Sequence, residues 1–129
     1  MSERSFSEKY LYHFTSPQNI GELPDANGIG EVLHEGGGCL DRVRMAVKVE
    51  KGIITGIKYK LRACSGTIAA SSAVSTLAVG KTTEDADKID FDLINDELGM
   101  VPERKNHSIE LAVKALKSAL ADYRHRSDE

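Results

Sequence analysis

The sequence has no tryptophan, three phenylalanines and four tyrosines, so aromatic residues make up only 5% of its 129 positions. Proteins that hold nucleic acid by base stacking need aromatic platforms, and few are available here. Cysteine is equally scarce, at two residues, Cys39 and Cys64. Two thiols exclude a four-thiolate zinc or iron–sulfur site within one chain, and a small secreted scaffold normally carries more. Any metal must therefore recruit other residue types. Charge of one sign is also lacking: 17 basic against 20 acidic residues leave a formal net charge of −3, too little to draw in polyanions. No stretch approaches the roughly 18 apolar residues of a membrane span, and Met1 to Tyr10 is polar with no apolar signal core. The chain reads as cytoplasmic, with reduced cysteines and with neither nucleic acid nor membrane as a partner.

What is present fits one ordinary domain over residues 1–129, 40% hydrophobic and 29% charged. Ser7 to Phe14 reads as a short helix, with Ser7 as N-cap and Tyr10, Leu11 and Phe14 as its apolar stripe. Gly21 to Gly30 is rich in turn residues and leads into a weak strand around Ile29 to His34. Val43, Met45, Val47 and Val49 then alternate with Arg42, Arg44, Ala46 and Lys48, the period of a half-buried strand. After Glu50-Lys51-Gly52 a second alternation sets Ile53, Thr55, Ile57, Tyr59 and Leu61 against Ile54, Gly56, Lys58, Lys60 and Arg62, which predicts a hairpin with one solvated face. That face is basic, and it could also dock an acidic partner. Helices follow over Ser65 to Val79, behind Thr82 or Thr83, behind Asp90, and along the stripe Ile109, Ala112, Val113, Leu116, Leu120 and Tyr123, with Arg124 to Glu129 as a fraying tail. Strands first and helices after predict an α+β fold, a small antiparallel sheet of about three strands with helices packed on one face.

Three segments carry chemistry. Gly36-Gly37-Gly38-Cys39-Leu40-Asp41 brings a thiol and a carboxylate, two residues apart, to the mouth of a strand, on the parity of Val43 and Met45. Cys64 stands at a strand-to-helix junction, where Ser65 or Thr67 can cap the helix and the helix dipole favours a thiolate. His107 lies at the start of the last helix, with Asn106 or Ser108 as cap, where the positive helix end favours a neutral, metal-binding ring. Each has a plainer reading: a buried cysteine as a small hydrophobe, Asp41 as a turn residue or an arginine partner, His107 as a capping residue. His13, His34 and His125 are read in that plain way, as surface or capping residues.

These segments, in this order, resemble the iron–sulfur cluster scaffold family of IscU and the N-terminal domain of NifU. The resemblance runs from about Glu8 to Arg124. It includes Tyr12-His13-Phe14-Thr15-Ser16-Pro17-Gln18-Asn19-Ile20-Gly21, Cys39-Leu40-Asp41, Ala63-Cys64-Ser65-Gly66-Thr67-Ile68-Ala69, Gly80-Lys81 and Asn106-His107-Ser108-Ile109. It implies a non-enzymatic scaffold or carrier that takes sulfide from a cysteine desulfurase and iron from a donor, assembles a two-iron, two-sulfur cluster and passes it to recipient apo-proteins. The resemblance places the family's first cysteine at Cys39, its aspartate at Asp41 and its second cysteine at Cys64; its third cysteine falls on His107 and its histidine on Asn106. Cys39, Asp41, Cys64 and His107 then form the implied ligand set, and histidine is known to replace thiolate on one iron of such clusters. The same four are closed tetrahedral zinc chemistry, which makes zinc an alternative occupant and a zinc-binding sulfur acceptor, or desulfurase-interacting protein, the alternative function. The family's chaperone-recognition run corresponds to Met100-Val101-Pro102-Glu103-Arg104 and is poorly kept. Between Cys39 and Cys64 there is no room for the insertion of SufU-like zinc-dependent sulfur acceptors.

Overall fold

The computed structural model describes residues 7–36, 39–63 and 65–127. Its sheet follows from the alternation in the sequence. Strand β1 (Gly28–Gly36) pairs antiparallel with β2 (Cys39–Glu50), which pairs antiparallel with β3 (Ile53–Arg62), in the order β1-β2-β3. Lys51 and Gly52 turn the β2–β3 hairpin with φ of 54° and 78°, the doubly left-handed turn whose twist suits a two-residue hairpin. Val43, Met45, Val47 and Val49 are buried, and Arg42 and Arg44 face solvent.

The alternation predicted for β3 holds only in part. The ladder passes from Lys48↔Gly56 to Val49↔Ile54, so Thr55 is an extra residue and the strand changes face there. Ile54 is consequently buried with Ile57 and Tyr59, and Ile53 is exposed.

Helices cover one face: α1 (Glu8–Thr15), α2 (Ser65–Ala78), α3 (Thr83–Ala86), α4 (Phe91–Glu97) and α5 (Asn106–Ser127). The predicted caps hold at Ser7, Thr82 and Asp90, whose side-chain oxygens accept from the backbone N–H groups of Tyr10, Asp85 and Leu93. The predicted stripe of α1 is corrected: Tyr10 is buried, but Leu11 and Phe14 are 45% and 38% exposed, and His13 is the second buried side chain. The predicted fraying tail is also corrected over Arg124 to Ser127, its last two positions lying outside the described residues. Helix α5 continues to Ser127, held by Arg124 to Asp87 at 2.6 Å and by Arg126 to Asp122 at 2.9 Å.

Close seating of α5 on β1 rests on glycine. Gly28 and Gly30 point inward, and a Cβ on Gly30 would lie 2.4 Å from the Ala119 nitrogen, so α5 lies against bare strand backbone. Asp122 of α5 accepts the Ile29 N–H at 2.8 Å and fixes the register of helix on strand. The free edge of β3 is covered on one side by the segment after α1, where Tyr59 N–H donates to Asn19 and Gly21 N–H to Tyr59, and on the other by Gly80 and Lys81. No helix among the described residues is long and apolar enough to cross a membrane.

Candidate metal centre

Asp41 is the second residue after Cys39 in β2 and has the inward parity of Val43, so it is buried, only 4% exposed, at one end of the sheet. A buried carboxylate requires a partner of opposite charge or a metal. His107 faces it from the first turn of α5: its Nε2 lies 3.8 Å from Asp41 Oδ2, and its side chain is 37% exposed. Two donors on one tetrahedral metal ion sit about 3.4 Å apart, so the pair is within a few tenths of an ångström of shared coordination. The pair thus sets a buried carboxylate beside a half-exposed imidazole.

The chain reaches this geometry through the start of α5. A 3-10 turn over Glu103–Lys105 runs directly into the helix, and Asn106 has helical φ and ψ of −59° and −36°. The predicted capping by Asn106 or Ser108 is therefore replaced by a continuous helical entry, with Ser108 buried at 1% exposure. Opposite it, α2 begins at Ser65, and a Cβ on Gly66 would meet Ser108 Oγ at 2.8 Å and Lys105 Cδ at 3.1 Å. Thr67, proposed from sequence as a cap, is instead fully buried inside α2. The start of α2 thus abuts the turn that leads into His107, because residue 66 has no side chain.

Of the four ligands read from sequence, the structure brings Asp41 and His107 together. Cys39 opens β2, and Cys64 lies outside the described residues. Among the described residues, no group of three or more His, Cys, Asp or Glu could hold a metal ion.

Sequence reasoning missed His13. It is 3% exposed, its Nδ1 lies 2.7 Å from Ser72 Oγ, and its Nε2 faces Glu97 at 3.6 Å. Ser72 Oγ also accepts the Gln18 N–H at 2.9 Å. Burial lowers the His13 pKa, and the Glu97 carboxylate only partly offsets it. A neutral ring with its proton on Nε2, facing Glu97, closes the network, since Nδ1 then accepts from Ser72. Nearby, burial pushes the Tyr59 hydroxyl up to about 12. The signal available in sequence was the helical spacing of Tyr10 and His13, three residues apart on one face.

Comparison with known proteins identifies the family. The family model "NifU-like N terminal domain" matches residues 5–129. The chain is 38% identical over 118 residues to the iron–sulfur cluster assembly scaffold protein IscU 1 of Archaeoglobus fulgidus, covering 92% of this chain and 76% of that one. It is 35% identical over 127 residues to the scaffold protein IscU of Azotobacter vinelandii, covering 95% and 96%. Among solved structures, the N-terminal part of a NifU-like protein from Brucella abortus superposes with a TM-score of 0.71 at 18% identity, covering 93% of this chain and 94% of the other, which supports the fold. The α+β sandwich, the sequence motifs and these relatives agree: the chain belongs to the NifU-like N-terminal domain family, which includes IscU.

Proposed function

We propose that this protein is an iron–sulfur cluster assembly scaffold or carrier rather than an enzyme, holding a labile two-iron, two-sulfur cluster through Cys39, Asp41, Cys64 and His107. The observation that carries the reading is the meeting of Asp41 and His107, 66 residues apart in sequence, where the start of α2 abuts the entry to α5. The donor chemistry fits the cargo. Two thiolates, a carboxylate and a neutral imidazole supply the four terminal ligands of such a cluster, with histidine in place of one thiolate. The carboxylate is the hardest and most exchangeable of the four, which suits a protein that must release what it builds. In this reading sulfide comes from a cysteine desulfurase, iron from a donor, and the cluster goes to recipient apo-proteins in the cytoplasm.

The relatives named as scaffolds support the assignment. Anaerobic incubation with ferrous iron and sulfide should give a charge-transfer absorption spectrum that changes in His107→Ala. Failure to form a cluster at any ratio of reagents would overturn the reading. Freshly isolated protein with stoichiometric zinc, no labile sulfide and stimulation of a desulfurase would establish the zinc-binding sulfur acceptor instead.

A further inference from the structure

On the sheet face opposite the helices, Leu23 of the segment after α1 lies over Gly56 and Ala46 is buried, whereas the end carrying Arg42, Arg44, Lys60 and Arg62 is exposed, and its charges are arranged against its own stability. Six cations project from β2 and β3: Arg42, Arg44, Lys48, Lys58, Lys60 and Arg62. The register sets Arg42 directly opposite Arg62 and Arg44 directly opposite Lys60. Like charges directly across a ladder destabilise a sheet, and a face that is merely solvated normally intersperses the two signs. Two ion pairs offset part of this, Arg42 with Glu31 at 3.3 Å and Lys60 with Glu22 at 3.2 Å. Arg44, Lys48, Lys58 and Arg62 make no ion pair with any described residue. All of this occurs on a chain whose net charge is negative.

We infer that this face is a docking surface for an acidic protein partner, one presenting a row of carboxylates that interleaves with the two arginine and lysine ladders. Neighbouring strands put the cations about 4.8 Å apart across the sheet and about 7 Å apart along it, a spacing that carboxylates on a flat protein surface can match. Charge complementarity of this kind steers encounter and fixes register. Exposed Leu33 stands opposite Arg42 on β1, and Ile29 opposite Ala46, so the cations are mixed with apolar contact area, the composition of a protein interface rich in arginine. A nucleic-acid surface fits less well, because no aromatic side chain projects from these positions and Glu31 would face phosphate. The face also reaches the metal end of the sheet, since Arg42 follows Asp41 and Arg62 closes β3, so an occupant would sit beside the site.

The test uses the full chain and polyglutamate of about 20 residues as probe, followed by amide chemical shifts at low salt. The expected result is a perturbation of residues 42–48 and 58–62 that fades with added salt. The double variant Arg62→Glu/Lys58→Glu should weaken binding at least tenfold while melting no lower than the wild type, because Arg62→Glu turns a like-charge pair into an opposite one. The charge-matched control Lys88→Glu/Lys114→Glu should change binding less than twofold. Shifts that avoid these strands, or equal weakening by the control, would overturn the inference. Tenfold tighter binding of single-stranded DNA at the same strands would make the face a nucleic-acid surface. Low-salt self-association abolished by the double variant, without polyglutamate binding, would make its occupant a second copy of this chain.

Discussion

Replacing Gly30 with alanine tests how α5 is seated on the sheet. The added methyl would lie 2.4 Å from the Ala119 nitrogen, 2.6 Å from Ser118 Cβ and 2.7 Å from the Ser118 carbonyl carbon. Two of these three atoms are helix backbone, which cannot swing away as the end of a flexible side chain can. An ordinary contact needs about 3.4 Å, so β1 and α5 must separate locally by about 1 Å. Overpacking of this sort costs about 1–3 kcal/mol, and here it also strains the Asp122 carboxylate contact to Ile29 N–H, made one turn further along the same helix. For a domain of this length each kcal/mol lowers Tm by about 3–5 °C, so thermal melts followed by circular dichroism should fall by roughly 3–15 °C. Gly56→Ala is the matched control: its methyl would meet Leu23 and Lys48 carbons at 3.5–3.6 Å, an ordinary contact, and its melt should be unchanged or slightly raised through reduced freedom of the unfolded chain. A Gly30→Ala protein melting within about 2 °C of the wild type, or no lower than Gly56→Ala, would refute the argument that bare strand backbone sets the helix position.

Three further outcomes follow from the same geometry. Asn27 replaces a missing strand at the bulge, accepting the Val49 N–H and donating to the Val49 carbonyl at 2.8 and 2.9 Å; Asn27→Ala should cost about 1–3 kcal/mol in denaturant unfolding, with the m-value unchanged. Because burial holds the folded His13 pKa below 6.5, the unfolded chain binds more protons as pH falls through 6.5, so stability contributed above that pH is lost on acidification until the folded pKa is passed. Melts of His13→Gln between pH 7.5 and 5.5 should show a shallower decline than the wild type, and parallel curves would dissociate His13 from it. Under the scaffold reading, Asp41→Cys exchanges the weakest oxygen ligand for a thiolate and should lengthen the half-life of a reconstituted cluster under chelator challenge, measured by loss of visible absorption.

The residues whose environment is decided locally were legible from sequence. Val43, Met45, Val47 and Val49 declare a buried face by period alone, and Ser7, Thr82 and Asp90 declare caps because a short oxygen-bearing side chain is what a helix start requires. Residues whose environment depends on a distant element were not. Ile53 and Ile54 are both β-branched and apolar, and only the extra Thr55 decides which of them is buried. In α1, Leu11, Phe14 and His13 compete for the inward face. The histidine takes it because Ser72 and Glu97, from α2 and α4, satisfy both of its nitrogens, a compensation invisible within the helix's own eight residues.

The candidate site divides along the same line. Residue types named candidate donors, since two thiols, an aspartate and a histidine at element ends are the pieces a metal needs. Residue types did not bring them together. Asp41 is fixed by strand parity, but His107 reaches it only because Glu103–Lys105 winds directly into α5 and because Gly66 lets the start of α2 come against Ser108. Glycine acts here and at Gly28 and Gly30 by absence of volume, allowing one backbone to approach another. The position of the donors therefore depends on residues that donate nothing. A larger side chain at position 66 would move the start of α2 from Ser108 and the turn leading into His107 without altering Asp41 or His107 themselves.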